Sequence, residues 1–156
     1  MKERKELVEA ILQLVSSLSD TERKEVLSHL QQKNKGIPIS VFRSGISSLE
    51  AIVVYLKDVK GLSITEISTL LNRKKSTLYT THKKAKQKLT GEIDCSDISI
   101  TIPHQIFADR KFAVLESLVT YLKDDLKLSF VNISTLLNKK YSTVRTVYVR
   151  YKQKCS

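Results

Sequence analysis

Two stretches of this 156-residue chain concentrate hydroxyls, aromatics and cations at helical spacing. In the first, Ser76, Tyr79, Thr80 and Lys83 recur every three or four residues, which puts them on one face of a helix. In the second, Ser142, Arg145, Thr146 and Val149 repeat that spacing. Hydroxyls, aromatics and cations on one helical face suit DNA, since Arg or Lys can donate to guanine edges, and these eight residues are the candidate base readers. Arg73, Lys74, Lys75, Thr77 and Lys84 flank the first face; Lys139, Lys140, Thr143 and Arg150 flank the second. These are candidate phosphate contacts, since cations neutralise phosphate and a helix N-terminus offers free N–H donors. Cations at that end oppose the helix dipole. Their presence there in both stretches points to an external anion, and double-stranded DNA is the expected partner.

The elements that position these faces are legible nearby. Residues 62–89 read as a short helix, a tight polar turn and a longer basic helix. Ser63 and Glu66 have capping-box spacing, and Ile67, Leu70 and Leu71 face inward. Asn72 suits a left-handed turn, and the basic helix then spans about residues 75–89 with Leu78, Ala85 and Leu89 inward and His82 between them. Residues 128–154 repeat the plan. Ser129 keeps the cap while Asn132 replaces the glutamate; Ile133, Leu136 and Leu137 form the core; Asn138 makes the turn. A second basic helix covers about 141–154, with Val144, Tyr148 and Tyr151 inward. Lys86, Lys88, Lys152 and Lys154 suit a helix C-terminus and are open to either solvent or phosphate.

The likeness extends further. Residues 37–42 match 102–107 at an offset of 65, and from residue 49 to 88 roughly 22 of 40 positions recur at an offset of 66. A first helix is expected at about 48–59, with Leu49, Ile52, Val53 and Leu56 buried, and again at 113–126. Tyr55 and Tyr121 are expected in packing. The predicted organisation is all-α: an N-terminal helical hairpin (1–36), a first three-helix unit (37–89), an acidic linker (90–101) and a second unit (102–156). The linker is β-prone but too short for a sheet. In the hairpin Ser19 and Glu22 start the second helix, with Val26, Leu27 and Leu30 inward, and Gly36 is a helix stop. Leu7, Ile11, Leu14 and Leu18 follow a 4-3-4 spacing, so the hairpin either packs on the two units or supplies a homodimer seam.

The stretch 62–89 resembles the helix-turn-helix of the C-terminal domain of bacterial sigma factors and of LuxR-type regulators. The shared pattern is Leu62-Ser63, Glu66-Ile67, Leu71, a tight turn and Thr77-Leu78, repeated in part at Leu128-Ser129, Ile133, Leu137 and Thr143-Val144. The resemblance implies a helix-turn-helix fold in which the third helix of each unit enters the DNA major groove. Asn72 stands where glycine is usual, and the motif occurs twice. A small transcription regulator is therefore expected. Alternatives are an adaptor for a protein of the transcription machinery and a non-specific DNA-architectural protein.

Charge and composition agree. The net charge is +11. Residues 1–36 contribute +1, 37–89 +7, 90–101 −3 and 102–156 +6, so the excess follows the two units. No P-loop, GxGxxG or HExxH is present, and a non-enzyme without cofactor or metal is expected. Cys95 and Cys155 form no pair motif, no run approaches membrane-spanning length, and the charged N-terminus is unlike a secretory signal. A cytoplasmic, nucleoid-associated protein is expected.

Overall fold

A computed structural model describes residues 2–33 and 36–156. The chain is mostly helical and divides into two units, Met1–Lys35 and Gly36–Ser156. Among the described residues no helix is long and apolar enough to cross a membrane.

The first unit holds α1 (Lys2–Ser17) and α2 (Asp20–Lys33). Ser19 starts α2 as predicted: its N–H donates to Glu22 Oε2 at 2.8 Å, and Glu22 N–H donates to Ser19 Oγ at 3.4 Å. Arg23 closes the end of α1 by donating to the Val15 and Ser16 carbonyls. Leu7, Val8, Ile11, Leu12 and Leu14 are exposed, and so are Val26 and Leu27, against expectation. A pair of helices this short supplies no opposing layer to cover those faces. The side chains of His29 and Leu30, and residues 34 and 35 of the linker, lie outside the described residues.

The second unit repeats one order of elements. In the first copy β1 (Ile37–Pro38) leads through a 3-10 turn (Ile39–Arg43) to α3 (Ser48–Val54), α4 (Ile64–Leu71) and α5 (Lys75–Lys88). In the second, β2 (Thr101–Ile102) leads through a 3-10 turn (His104–Phe107) to α6 (Val114–Thr120), α7 (Phe130–Leu136) and α8 (Tyr141–Cys155). Both first helices are shorter than their sequence pattern. Each ends in a π-helical turn, Tyr55–Val59 and Tyr121–Asp125, closed by Lys60 N–H to the Tyr55 carbonyl at 3.0 Å and Leu126 N–H to the Tyr121 carbonyl at 3.1 Å. Leu49 and Leu70 are only half-buried, whereas Ile52, Val53, Leu56, Ile67 and Leu71 are in the core.

The two copies do not have separate cores. One buried cluster runs from Ile37 to Val147. The end of the acidic linker forms the strand pairing that its length argued against: Ile102 stands opposite Ile37 and Thr101 opposite Pro38, antiparallel. Ile37 and Ile102 are equivalent residues of the duplication. Phe42 and Phe107 are equivalent too, and their rings meet at 6.1 Å between centroids. Equivalent residues that contact each other imply a local two-fold relation, the geometry of a symmetric dimer within one chain. The cross-contacts are reciprocal: the first copy's 3-10 turn packs on α7, and the second copy's packs on α4. Gly36 lies at this seam. A Cβ there would stand 2.7 Å from the Thr101 Cβ, so the glycine permits close approach to the other copy.

The turns behave as their residues predict. Asn72 has φ 50° and Asn138 φ 49°. The turn between first and second helices also needs a left-handed residue, met by Gly61 at φ 69° in one copy and by Lys127 at φ 57° in the other. A side chain in that region costs about 1–2 kcal/mol. Lys127→Gly should therefore raise unfolding free energy by about 1 kcal/mol and Gly61→Ala should lower it by a similar amount, read from urea denaturation midpoints.

Candidate nucleic-acid interface

The third helices α5 and α8 are oriented by acids on the first helices. Glu50 sits near the N-terminus of α3, where Ser47 N–H donates to its Oε2 at 3.0 Å and Glu50 N–H donates to Ser47 Oγ. Its other oxygen accepts from Lys88 Nζ at 2.7 Å, at the end of α5. One carboxylate therefore caps one helix and holds another. Glu116 does the same: Ala113 N–H donates to Oε2 at 2.9 Å, and Lys154 Nζ donates to the same oxygen at 2.7 Å. Both glutamate side chains are only 8% exposed.

A second clamp sits eight residues further along the chain, at Asp58 and Asp124. Asp58 is 2.8 Å from His82 Nε2 and accepts from Lys86 Nζ at 3.0 Å. Asp124 accepts from Tyr148 Oη at 2.8 Å and Lys152 Nζ at 2.6 Å. Burial pushes all four carboxyls up, but the donors outweigh it. Glu50 is held below its ordinary value by Lys88 and Ser47, Glu116 by Lys154 and the Ala113 N–H, Asp58 by Lys86 and His82, and Asp124 by Lys152 and Tyr148. Burial and the bond to Asp124 raise the Tyr148 phenol.

These clamps reassign four lysines. Lys86, Lys88, Lys152 and Lys154, open in sequence to solvent or phosphate, bind carboxylates of their own copy. His82 is an anchoring residue rather than packing alone. The signal was present: acids at 50 and 58 and lysines at 86 and 88 all recur at an offset of 66. Val147 was missed as a core residue, and it is buried beside Val144.

The remaining outer faces are open. Ser76, Tyr79, Thr80 and Lys83 are exposed on α5, as are Ser142, Arg145, Thr146 and Val149 on α8. Thr80 Oγ1 donates to the Ser76 carbonyl at 3.0 Å, which leaves it as an acceptor outward. Lys74, Lys75, Thr77 and Lys84 are exposed in the first copy, and Lys140, Thr143 and Arg150 in the second; Arg73 and Lys139 are half-buried. Ser76, Thr77, Thr80 and Lys84 border a shallow depression that reaches Leu49 and Glu50 on α3. Ser142, Arg145, Thr146, Val149 and Arg150 border a comparable one with Tyr141 and Gln153. Lys74 and Lys140 occupy the N-cap positions of α5 and α8 without a side-chain cap bond. The free N–H groups there can receive an anion. No family model, curated protein or solved structure matches this chain.

Because the four carboxyls are lowered on folding, their contribution is present above the ordinary carboxylate range and lost as pH falls through and below about pH 4. Glu50→Gln keeps the cap but removes the charge. It should cost about 1 kcal/mol, since the exposed Lys88 ammonium retains hydration, and it should flatten the acid limb of a melting-temperature profile. Glu50→Ala should cost about 1 kcal/mol more through the lost cap.

Proposed function

We propose that Gly36–Ser156 is a tandem helix-turn-helix DNA-binding unit of a small transcription regulator, with α5 and α8 as its two reading helices. The observation that carries this reading is the division of cations along those helices. The C-terminal lysines are bound to acids of the same copy, whereas Lys74, Ser76, Tyr79, Thr80, Lys83 and Lys84, and Lys140, Ser142, Arg145, Thr146, Val149 and Arg150, are exposed. The clamps hold each helix by its far end and leave the near end for a major groove. Ser76, Tyr79, Thr80 and Lys83 read bases in one half-site, and Ser142, Arg145, Thr146 and Val149 in the other. Arg73, Lys74, Lys75, Thr77, Lys84, Lys139, Lys140, Thr143 and Arg150 bind backbone phosphate. The local two-fold relation favours half-sites in inverted orientation, and the unlike faces, Tyr79 against Arg145 and Lys83 against Val149, favour unlike sequences. One chain carrying both units acts as a covalent dimer.

The near-neutral first unit, with Leu7, Ile11 and Leu14 exposed at heptad spacing, supports a further homodimer through α1. Sedimentation should then show a dimer that Ile11→Asp converts to monomer.

Selection from random DNA at about 0.15 M salt should return an inverted, imperfect pair of half-sites. Arg145→Ala should relax preference at one position by about 1–3 kcal/mol of discrimination. Lys74→Ala should weaken all sequences alike and lower the salt slope by about 1. No enriched motif, with binding lost at that salt, would instead favour an adaptor that docks a protein.

A further inference from the structure

The two junctions between the copies differ in how their arginines are paired. At one, Arg43 of the first copy reaches the end of α7. Its Nε donates to the Leu136 carbonyl at 2.6 Å, and its Nη2 pairs with Asp97 at 2.8 Å. That guanidinium is satisfied internally. At the other junction Asn72 Nδ2 donates to the Ala108 carbonyl at 3.2 Å, which ties the end of α4 to the loop carrying Arg110. The residue after Asn72 is Arg73. Its backbone is fixed by its N–H to the Ser68 carbonyl and by the Ser68 hydroxyl to its own carbonyl. Its side chain is half-buried, with Nε shut off from solvent and unbonded.

The Asn72–Ala108 bond brings Arg73 to the loop that carries Arg110. Burial depresses the Arg73 guanidinium, and the like charge of Arg110 adds to it. Neither arginine pairs with a carboxylate among the described residues. In the first copy the stretch matching this loop contains Gly45, and Arg43, already neutralised, is its one cation. Two arginines at one junction, neither with a carboxylate partner, offer a site to an anion.

We propose that Arg73 and Arg110 form a composite phosphate clamp, one arginine from each copy, that grips a DNA backbone phosphate beside α5. The inference rests on the DNA-binding reading and extends it to a residue outside both helix-turn-helix segments. Paired guanidiniums suit a phosphate because each presents planar donors to its oxygens. The clamp exists at one junction only, so the two reading helices are not equivalent in backbone grip. It also makes binding at α5 depend on the second copy's loop.

The test is DNA affinity of the full chain against salt, for wild type, Arg110→Gln, Arg110→Lys and Arg73→Gln, with circular dichroism confirming the fold. One lost phosphate contact lowers the slope of log K against log salt by roughly 0.9. Wild-type affinity loss between 50 and 200 mM salt should therefore shrink by about threefold in Arg110→Gln. Arg110→Lys should keep most of the slope because the charge remains. Wild-type binding with an unchanged slope in Arg110→Gln overturns the clamp and leaves the DNA reading intact. Absence of wild-type DNA binding overturns both. A further arm replaces chloride with inorganic phosphate at equal ionic strength. Stronger displacement of DNA by phosphate from wild type than from Arg110→Gln supports the clamp; equal displacement by phosphate in both proteins overturns it.

Discussion

A carboxylate with less than a tenth of its surface in water stays ionised only if donors replace the lost hydration. Glu50 and Glu116 meet that condition by taking donors from two directions. The backbone at the start of the first helix supplies one, and a lysine at the end of the third helix supplies the other. The pairing makes the position of the third helix a requirement of burying the first. Asp58 and Asp124, eight residues further along, add a second fixed point. Two anchors define an axis, so α5 and α8 are held in direction as well as in place. The proposed DNA reading would use that rigidity, because recognition depends on registry.

The second organising constraint is the seam between the copies. Ile37 against Ile102 and Phe42 against Phe107 are contacts of equivalent residues, and they bury what each copy alone would expose. Each three-helix unit is small, and a small core supports few kcal/mol of stability. Sharing one core answers that. It also converts two sequential units into one body with a fixed relation between α5 and α8. Local symmetry does not extend to charge. Arg43 pairs with Asp97, whereas Arg73 and Arg110 pair with no carboxylate among the described residues.

Much of the architecture was readable from residue patterns. Ser63–Glu66 and Ser19–Glu22 did form capping boxes, and Asn72 and Asn138 did take left-handed turns. The basic helices began where Lys75 and Tyr141 indicated. Exposure of the faces at 76–83 and 142–149 also followed from spacing. The π-helical turns did not, because YLKD continues a helical pattern without a break in it. Nor did the strand pairing, since two-residue strands carry no periodicity. The lysines at the ends of α5 and α8 were ambiguous for a different reason. A cation there is favourable to the dipole in solvent, on phosphate or against a carboxylate alike.

The sequence by itself determined the helices, caps, turns and duplication. Those features rest on interactions within three or four residues or on comparison of the chain with itself. Tertiary structure alone decided which cations are neutralised and which are free. Glu50 and Lys88 are 38 positions apart, Arg43 and Leu136 are 93, and Asn72 and Ala108 are 36. Electrostatic pairing falls off over a few ångströms, while separation along the chain says little about distance in a folded body. The net charge of +11 was visible in composition; which cations pair with acids and which stay exposed appeared only when the helices were packed.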